Sequence, residues 1–134
     1  MGGEVRNDAT IMAALGRQMT RAVQRQAVAA GNLANVDTPG YRTKEIQFAD
    51  ALDQELGTSA PAATNSRHFG AGAILAERPD PTDAKGLATR RDGNNVQMDR
   101  ELLALNRAAA DFSAAETVLA AKFRLVRYAI NEGR

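Results

Sequence analysis

Residues 97–131 read QMDRELLALNRAAADFSAAETVLAAKFRLVRYAIN, and the fold turns on how this stretch is read. Met98, Leu102, Leu105, Ala109, Phe112, Glu116, Leu119, Phe123, Val126 and Ile130 recur at gaps alternating between four and three residues. Nine of these ten positions are apolar. A mean spacing of 3.5 keeps one side of a helix against a partner, so the pattern predicts a long helix with a continuous seam. Asp99 and Glu101 lie near its positive end, and Lys122, Arg124 and Arg127 lie towards its negative end, both favourable senses. The preceding Asp92-Gly93-Asn94-Asn95 is turn chemistry and offers caps.

Working outward, residues 8–34 carry a second helical pattern. Met12, Leu15, Met19, Ala22, Gln26, Ala29 and Leu33 follow the same three–four alternation, flanked by Ile11, Val23 and Ala30. No proline interrupts the span, although Gly16 and Gly31 weaken it locally. At 1.5 Å per residue it would reach about 40 Å. One polar residue breaks each seam, Gln26 in the first and Glu116 in the second. Two readings follow: each helix rotates slightly, turning Val23 or Ala115 inward, or a buried polar pair fixes register.

Between the helices the character changes. Asn35-Val36-Asp37-Thr38-Pro39-Gly40-Tyr41 ends the first helix, because Pro39 forces Thr38 into extended geometry and Pro-Gly favours a turn with glycine at positive φ. Ile46 and Phe48 then alternate with polar neighbours, and Phe48, Leu52 and Leu56 suit a short helix. Residues 57–72 are mostly small and polar, with little to repay ordering, so a flexible connector is expected. A weak strand signal at Ala73–Ala76 is closed by Pro79 and Pro81. The expected organisation is therefore paired terminal helices over 1–34 and 97–134, joined by a turn, a short helix and a connector over 35–96.

Composition narrows the function classes. Of the 134 residues, 27 are alanine, while Leu, Ile, Val and Phe together number 26. Alanine favours helix and close helix approach but buries little area, so the isolated monomer is expected to be marginally stable and to gain burial by assembly. The absence of cysteine removes disulfides and thiolate metal sites. The opening MGGEVRNDAT is polar, and no cleavable signal peptide is read there. No segment approaches the roughly 18 apolar residues of a membrane span. Seventeen basic against sixteen acidic side chains argue against a nucleic-acid binder.

Candidate chemistry is sparse. His68 is the only histidine and sits in the least structured stretch. Asp50, Asp53 and Glu55 read as solvated charge. No phosphate loop, HExxH zinc signature or serine-nucleophile elbow occurs, so no catalytic, cofactor-binding or metal residue is assigned. Arg17, Arg21 and Arg25 form a stripe on the first helix, read as a soluble surface or as a contact for acidic neighbours.

Ala30-Gly31-Asn32-Leu33-Ala34-Asn35-Val36-Asp37-Thr38-Pro39-Gly40-Tyr41 closely resembles the N-terminal signature of bacterial flagellar rod, hook and hook-associated proteins. Gly93-Asn94-Asn95-Val96, leading into the last helix, resembles the second half of that pattern. Together with the short middle, the likeness points to the proximal rod proteins, of the B type with the C type as rival. Residue by residue, Asn32, Leu33, Ala34, Asn35, Thr38, Pro39, Gly40 and Tyr41 match the signature. The resemblance implies a mainly α fold in which the terminal helices pair as an antiparallel, coiled-coil-like hairpin. It implies a structural, non-enzymatic subunit that assembles with other rod subunits, a rod adaptor, membrane-ring and export-gate components. It places that subunit in the periplasmic rod of the basal body, exported by the flagellar type III apparatus without a cleavable signal peptide and without membrane insertion. The seam expected to carry packing comprises Leu15, Met19 and Leu33 with Leu102, Leu105, Phe112, Leu119, Phe123, Val126 and Ile130. A helical adaptor or export chaperone, binding flagellar or secretion partners through its C-terminal helix, is the competing class.

Overall fold

A computed structural model describes residues 2–48 and 79–132. Its order is helix α1 (Gly2–Ala34), strand β1 (Lys44–Glu45), strand β2 (Thr82–Asp83) and helix α2 (Met98–Glu132). The expected short helix after Phe48, the connector, the strand signal at Ala73–Ala76 and His68 lie outside the described residues. A small two-stranded antiparallel sheet does form in the middle, but between β1 and β2, pairing Lys44 with Asp83 and Glu45 with Thr82.

Both helices follow from composition. Each is rich in alanine and free of proline, so the backbone ladder runs unbroken for more than thirty residues. At its C-terminal end α1 tightens into i→i−3 bonds, Asn35 N to Asn32 O at 3.1 Å and Val36 N to Leu33 O at 3.2 Å. The Asn35 side chain turns back to donate to Gly31 O at 2.8 Å, satisfying one of the carbonyls left open there. Asp99 and Glu101 occupy the first turn of α2 as expected, but its last turn holds no basic residue. Lys122, Arg124 and Arg127 lie too far from the end at Glu132 to feel the helix dipole, which fades within one turn.

The helices pack antiparallel: Asn32 meets Glu101 and, further from the turn, Arg25 meets Asp111. The core between them is made of methyl groups, with Ala22 and Ala29 from α1 and Ala108 and Ala115 from α2 almost fully buried. Along α1 the expected seam holds, since Met12, Leu15, Met19 and Leu33 are half-buried beside the two alanines; only Gln26 is exposed.

Along α2 the buried line is displaced by one residue. Leu105, Phe112 and Leu119 are half-buried, yet Leu102, Ala109, Glu116 and Phe123 are exposed, and Glu101, Ala108 and Ala115 lie inward in place of the first three. One residue is about 100° of helix rotation. Turning Ala115 in and Glu116 out avoids burying a carboxylate among methyl groups, and small side chains let the backbones close together. Val23, the other residue expected to turn inward, stays half exposed because Ala22 takes that place. Val126 and Ile130, at the C-terminal end of the expected seam, are also exposed.

Candidate assembly clamp

The largest fully buried side chains in the described residues are polar: Asn32, Asn94, Asn95 and Thr43. They gather where α1 ends, the Pro-Gly turn reverses the chain and α2 begins. A cluster of this kind is tolerated only if its hydrogen-bonding groups find partners.

Asn32 sits on the last turns of α1 and spends its amide on three segments. Its Oδ1 accepts from Lys44 N at 2.8 Å and from the Tyr41 hydroxyl at 3.2 Å. Its Nδ2 donates to Lys44 O at 2.8 Å and to Glu101 Oε2 at 2.9 Å. The side chain therefore mimics a strand neighbour for Lys44 and at the same time reaches α2.

Asn94 gathers the open carbonyls beyond α1. Its Nδ2 lies 2.9 Å from Asn35 O, 3.2 Å from Val36 O and 2.8 Å from Thr38 O, while its Oδ1 accepts from Val96 N at 2.7 Å. One amide thus caps the end of the first helix and shapes the entry to the second. The Arg90 guanidinium adds a further bond to Val36 O. Asn95 Oδ1 accepts from Thr43 N at 2.7 Å, and Ala84 N donates to Thr43 O at 2.8 Å, which ties β1 to both flanks.

Glycine is required at two points. Thr38-Pro39-Gly40-Tyr41 closes with Tyr41 N to Thr38 O at 3.2 Å and Gly40 at φ 75°, the turn that Pro-Gly was expected to give. Gly40 N donates to Asp92 O at 2.8 Å, bringing the turn against Gly93, itself at φ 83°. A Cβ on Gly93 would stand 3.3 Å from Gly40 Cα, so both the backbone conformation and the contact exclude a side chain.

The structure splits the signature into an inner and an outer set. Asn32 is buried, Leu33, Asn35 and Tyr41 are half-buried, and Ala34, Thr38, Pro39 and Gly40 are exposed. Thr38 Oγ1 bonds Asn35 Oδ1 at 3.1 Å, so even the exposed threonine stiffens the turn. The sequence marked Asn94 and Asn95 as turn and cap residues and as part of the second half of the signature, without their partners, marked Glu101 as a dipole partner, and did not mark Thr43. The available signal for Glu101 was its position seven residues before Ala108 and fourteen before Ala115, the phase of the buried alanines.

Beside the clamp, a groove of about 360 Å³ runs between α1, α2 and β1, with Arg25, Lys44, Arg100 and Arg107 on its walls. Most of this charge is answered within the chain: Arg25 by Asp111 at 3.6 Å, Arg100 by Glu45 at 3.4 Å, and Lys44 by Asp83 across the β1–β2 pair. The Lys44 ammonium, by its hydrogen bond, holds the Asp83 carboxyl below the usual carboxylate range. Part of the arginine stripe is likewise occupied, because the guanidinium carbons of Arg21 and Arg25 lie 5.3 and 5.1 Å from the centre of the Phe48 ring. Among the described residues no group of three or more His, Cys, Asp or Glu side chains could hold a metal ion, and no helix is long and apolar enough to cross a membrane.

Two long terminal helices are thus joined through a Pro-Gly turn that an asparagine pair binds. The family model for the flagella basal body rod protein matches residues 13–42, a segment that contains most of the α1 seam and the whole turn. Among the chain's relatives are proteins named flagellar basal body rod protein FlgB. That of Salmonella typhimurium is 39% identical over 85 residues, which cover 58% of this chain and 62% of the relative. The Escherichia coli protein is 38% identical with the same coverage, and the Bacillus subtilis protein is 28% identical over 123 residues, covering 87% of this chain and 89% of its own. The chain thus spans less than two thirds of the enteric relatives it matches.

Proposed function

We propose that this chain is a structural subunit of the bacterial flagellar basal-body rod, of the B type rather than the C type, and that its role is mechanical and non-catalytic. The observation that carries this reading is the clamp: the family signature at residues 32–41 and the asparagine pair before α2 close into one buried polar knot, which stiffens the junction of the two helices. A rigid helical hairpin with apolar side chains left outward is suited to lateral packing in a polymer that transmits torque. The signature residues act in this reading as the assembly motif, the inner ones shaping the turn and the exposed Ala34, Thr38 and Pro39 offering it to neighbours. Residues 1–34 and 97–134 form the axial α domain, and 35–96 connect them. The finer expectations belong to the same proposal: neighbours among other rod subunits, the rod adaptor, membrane-ring and export-gate components, and a place in the periplasmic rod reached by type III export.

Incorporation tests it. The tagged chain should copurify with detergent-extracted basal bodies and persist through salt washing, and its deletion should abolish motility. Retention of the chain in the cytoplasm, absent from basal bodies, would favour the adaptor or export chaperone instead.

A further inference from the structure

The buried alanines repeat at a seven-residue interval on both helices, Ala22 and Ala29 against Ala108 and Ala115. Sliding one helix past the other by one interval, about 10 Å at 1.5 Å per residue, would again set one alanine pair face to face, Ala29 with Ala115 or Ala22 with Ala108. Methyl groups distinguish these arrangements poorly, so the seam by itself leaves the axial offset of the helices nearly degenerate.

The position seven residues before Ala108 on the same line is Glu101, only 4% exposed. Its Oε2 accepts from Asn32 Nδ2 at 2.9 Å, in a hydrogen bond between side chains 69 residues apart. Asn32 is fixed in turn, since the main chain of Lys44 engages both ends of its amide. A slip towards Ala29 would leave the Glu101 carboxylate among methyl groups with no donor, and the opposite slip would take from Asn32 its partner on α2.

We infer that Glu101 and Asn32 form a register lock, a positioning pair that sets the offset of α2 along α1 and thereby decides where the outward apolar residues stand. Gln26 and Glu116, the polar residues that interrupt the expected seams, are exposed and take no part in it. The Asn94 clamp fastens the chain before Met98, and Glu101 extends the fastening into the first turn of α2. Leu102, Phe123, Val126 and Ile130, all exposed on α2, take their axial positions from this lock acting with the Asn94 clamp before it and the Arg25–Asp111 pair beyond it.

The chain contains no cysteine, so spin labels can be placed without removing any native thiol. Labels at Gln26→Cys and Arg124→Cys, both exposed and well separated along the hairpin axis, report the offset by pulsed electron resonance on the full-length chain in buffer with a stabilising osmolyte. The parent and Glu101→Gln, whose amide oxygen still accepts from Asn32, should give a single distance. Glu101→Leu, which keeps apolar burial and removes the acceptor, should add a second population displaced by about 10 Å. A single parental distance in Glu101→Leu would overturn the lock, as would a second population in Glu101→Gln. Loss of helical circular dichroism in Glu101→Leu would overturn it too, because the acid would then hold the fold and not its register. No partner enters the measurement, so failure of the rod reading would leave its outcome unchanged.

Discussion

At the scale of single residues the structure concentrates its specificity in a few amides. Asn94 bonds three main-chain carbonyls and accepts from Val96 N, so Asn94→Ala should cost about 2 kcal/mol, read as a lowered urea midpoint, because the buried Val96 N–H loses its acceptor and each carbonyl keeps only its second donor. Thr43 behaves in the opposite way. Its side chain is fully buried and its Oγ1 has no hydrogen-bond partner, so Thr43→Val should leave stability unchanged or raise it by about 1 kcal/mol. The glycines give a third contrast. Gly93→Ala combines a positive φ with a crowded Cβ and should destabilise by about 1–2 kcal/mol, whereas Gly31→Ala, in the last turn of α1 with open space around it, should stabilise by up to about 1 kcal/mol. What could be read locally was read correctly: Pro39-Gly40 encodes its turn within four residues. Asn94 and Glu101 were not legible in their full roles, because their partners stand 56–59 and 69 residues away, respectively, and nothing in a short window names them.

Between elements, the packing of α1 on α2 depends on small side chains more than on large ones. Ala115→Leu should force the backbones apart and lower stability by about 1–3 kcal/mol, while Phe123→Ala, at a site more than half exposed, should change the stability of the chain by less than about 0.5 kcal/mol. If Phe123 contributes to contacts between subunits, the same substitution should still reduce motility and recovery in basal bodies. Among the described residues, the β1–β2 pair carries the one resolved effect of acid. Asp83 has a lowered folded-state pKa through Lys44, so its contribution is complete above the unfolded-state pKa and is lost as pH falls through the lower folded-state value. Amide exchange at Lys44 and Asp83, corrected for intrinsic rates, should therefore rise on acidification in the parent and lose that dependence in Asp83→Asn.

On the scale of the whole molecule, one chain folds into a hairpin whose core is narrow and whose second helix leaves Leu102, Leu103, Val118, Phe123, Leu125, Val126, Tyr128 and Ile130 exposed. That distribution is costly for an isolated monomer and useful for a subunit surrounded by others. Helical ellipticity should accordingly rise with protein concentration, and a thermally cooperative, concentration-independent monomer would contradict assembly-coupled ordering. The sequence by itself determined the two helices, their seven-residue periodicity and the turn between them, because backbone propensity, side-chain spacing and Pro-Gly geometry act over a few residues. It also carried the likeness to flagellar rod proteins, through a contiguous signature. Only the tertiary structure decided which side of α2 faces inward, since a one-residue rotation exchanges Leu102 for Glu101 and Glu116 for Ala115, and that choice depends on how closely the backbones approach and on the partner Glu101 finds in Asn32. It alone joined Asn32 to Glu101 and Asn94 to the end of α1, because hydrogen bonds between distant residues follow from the packed arrangement and have no periodicity to announce them.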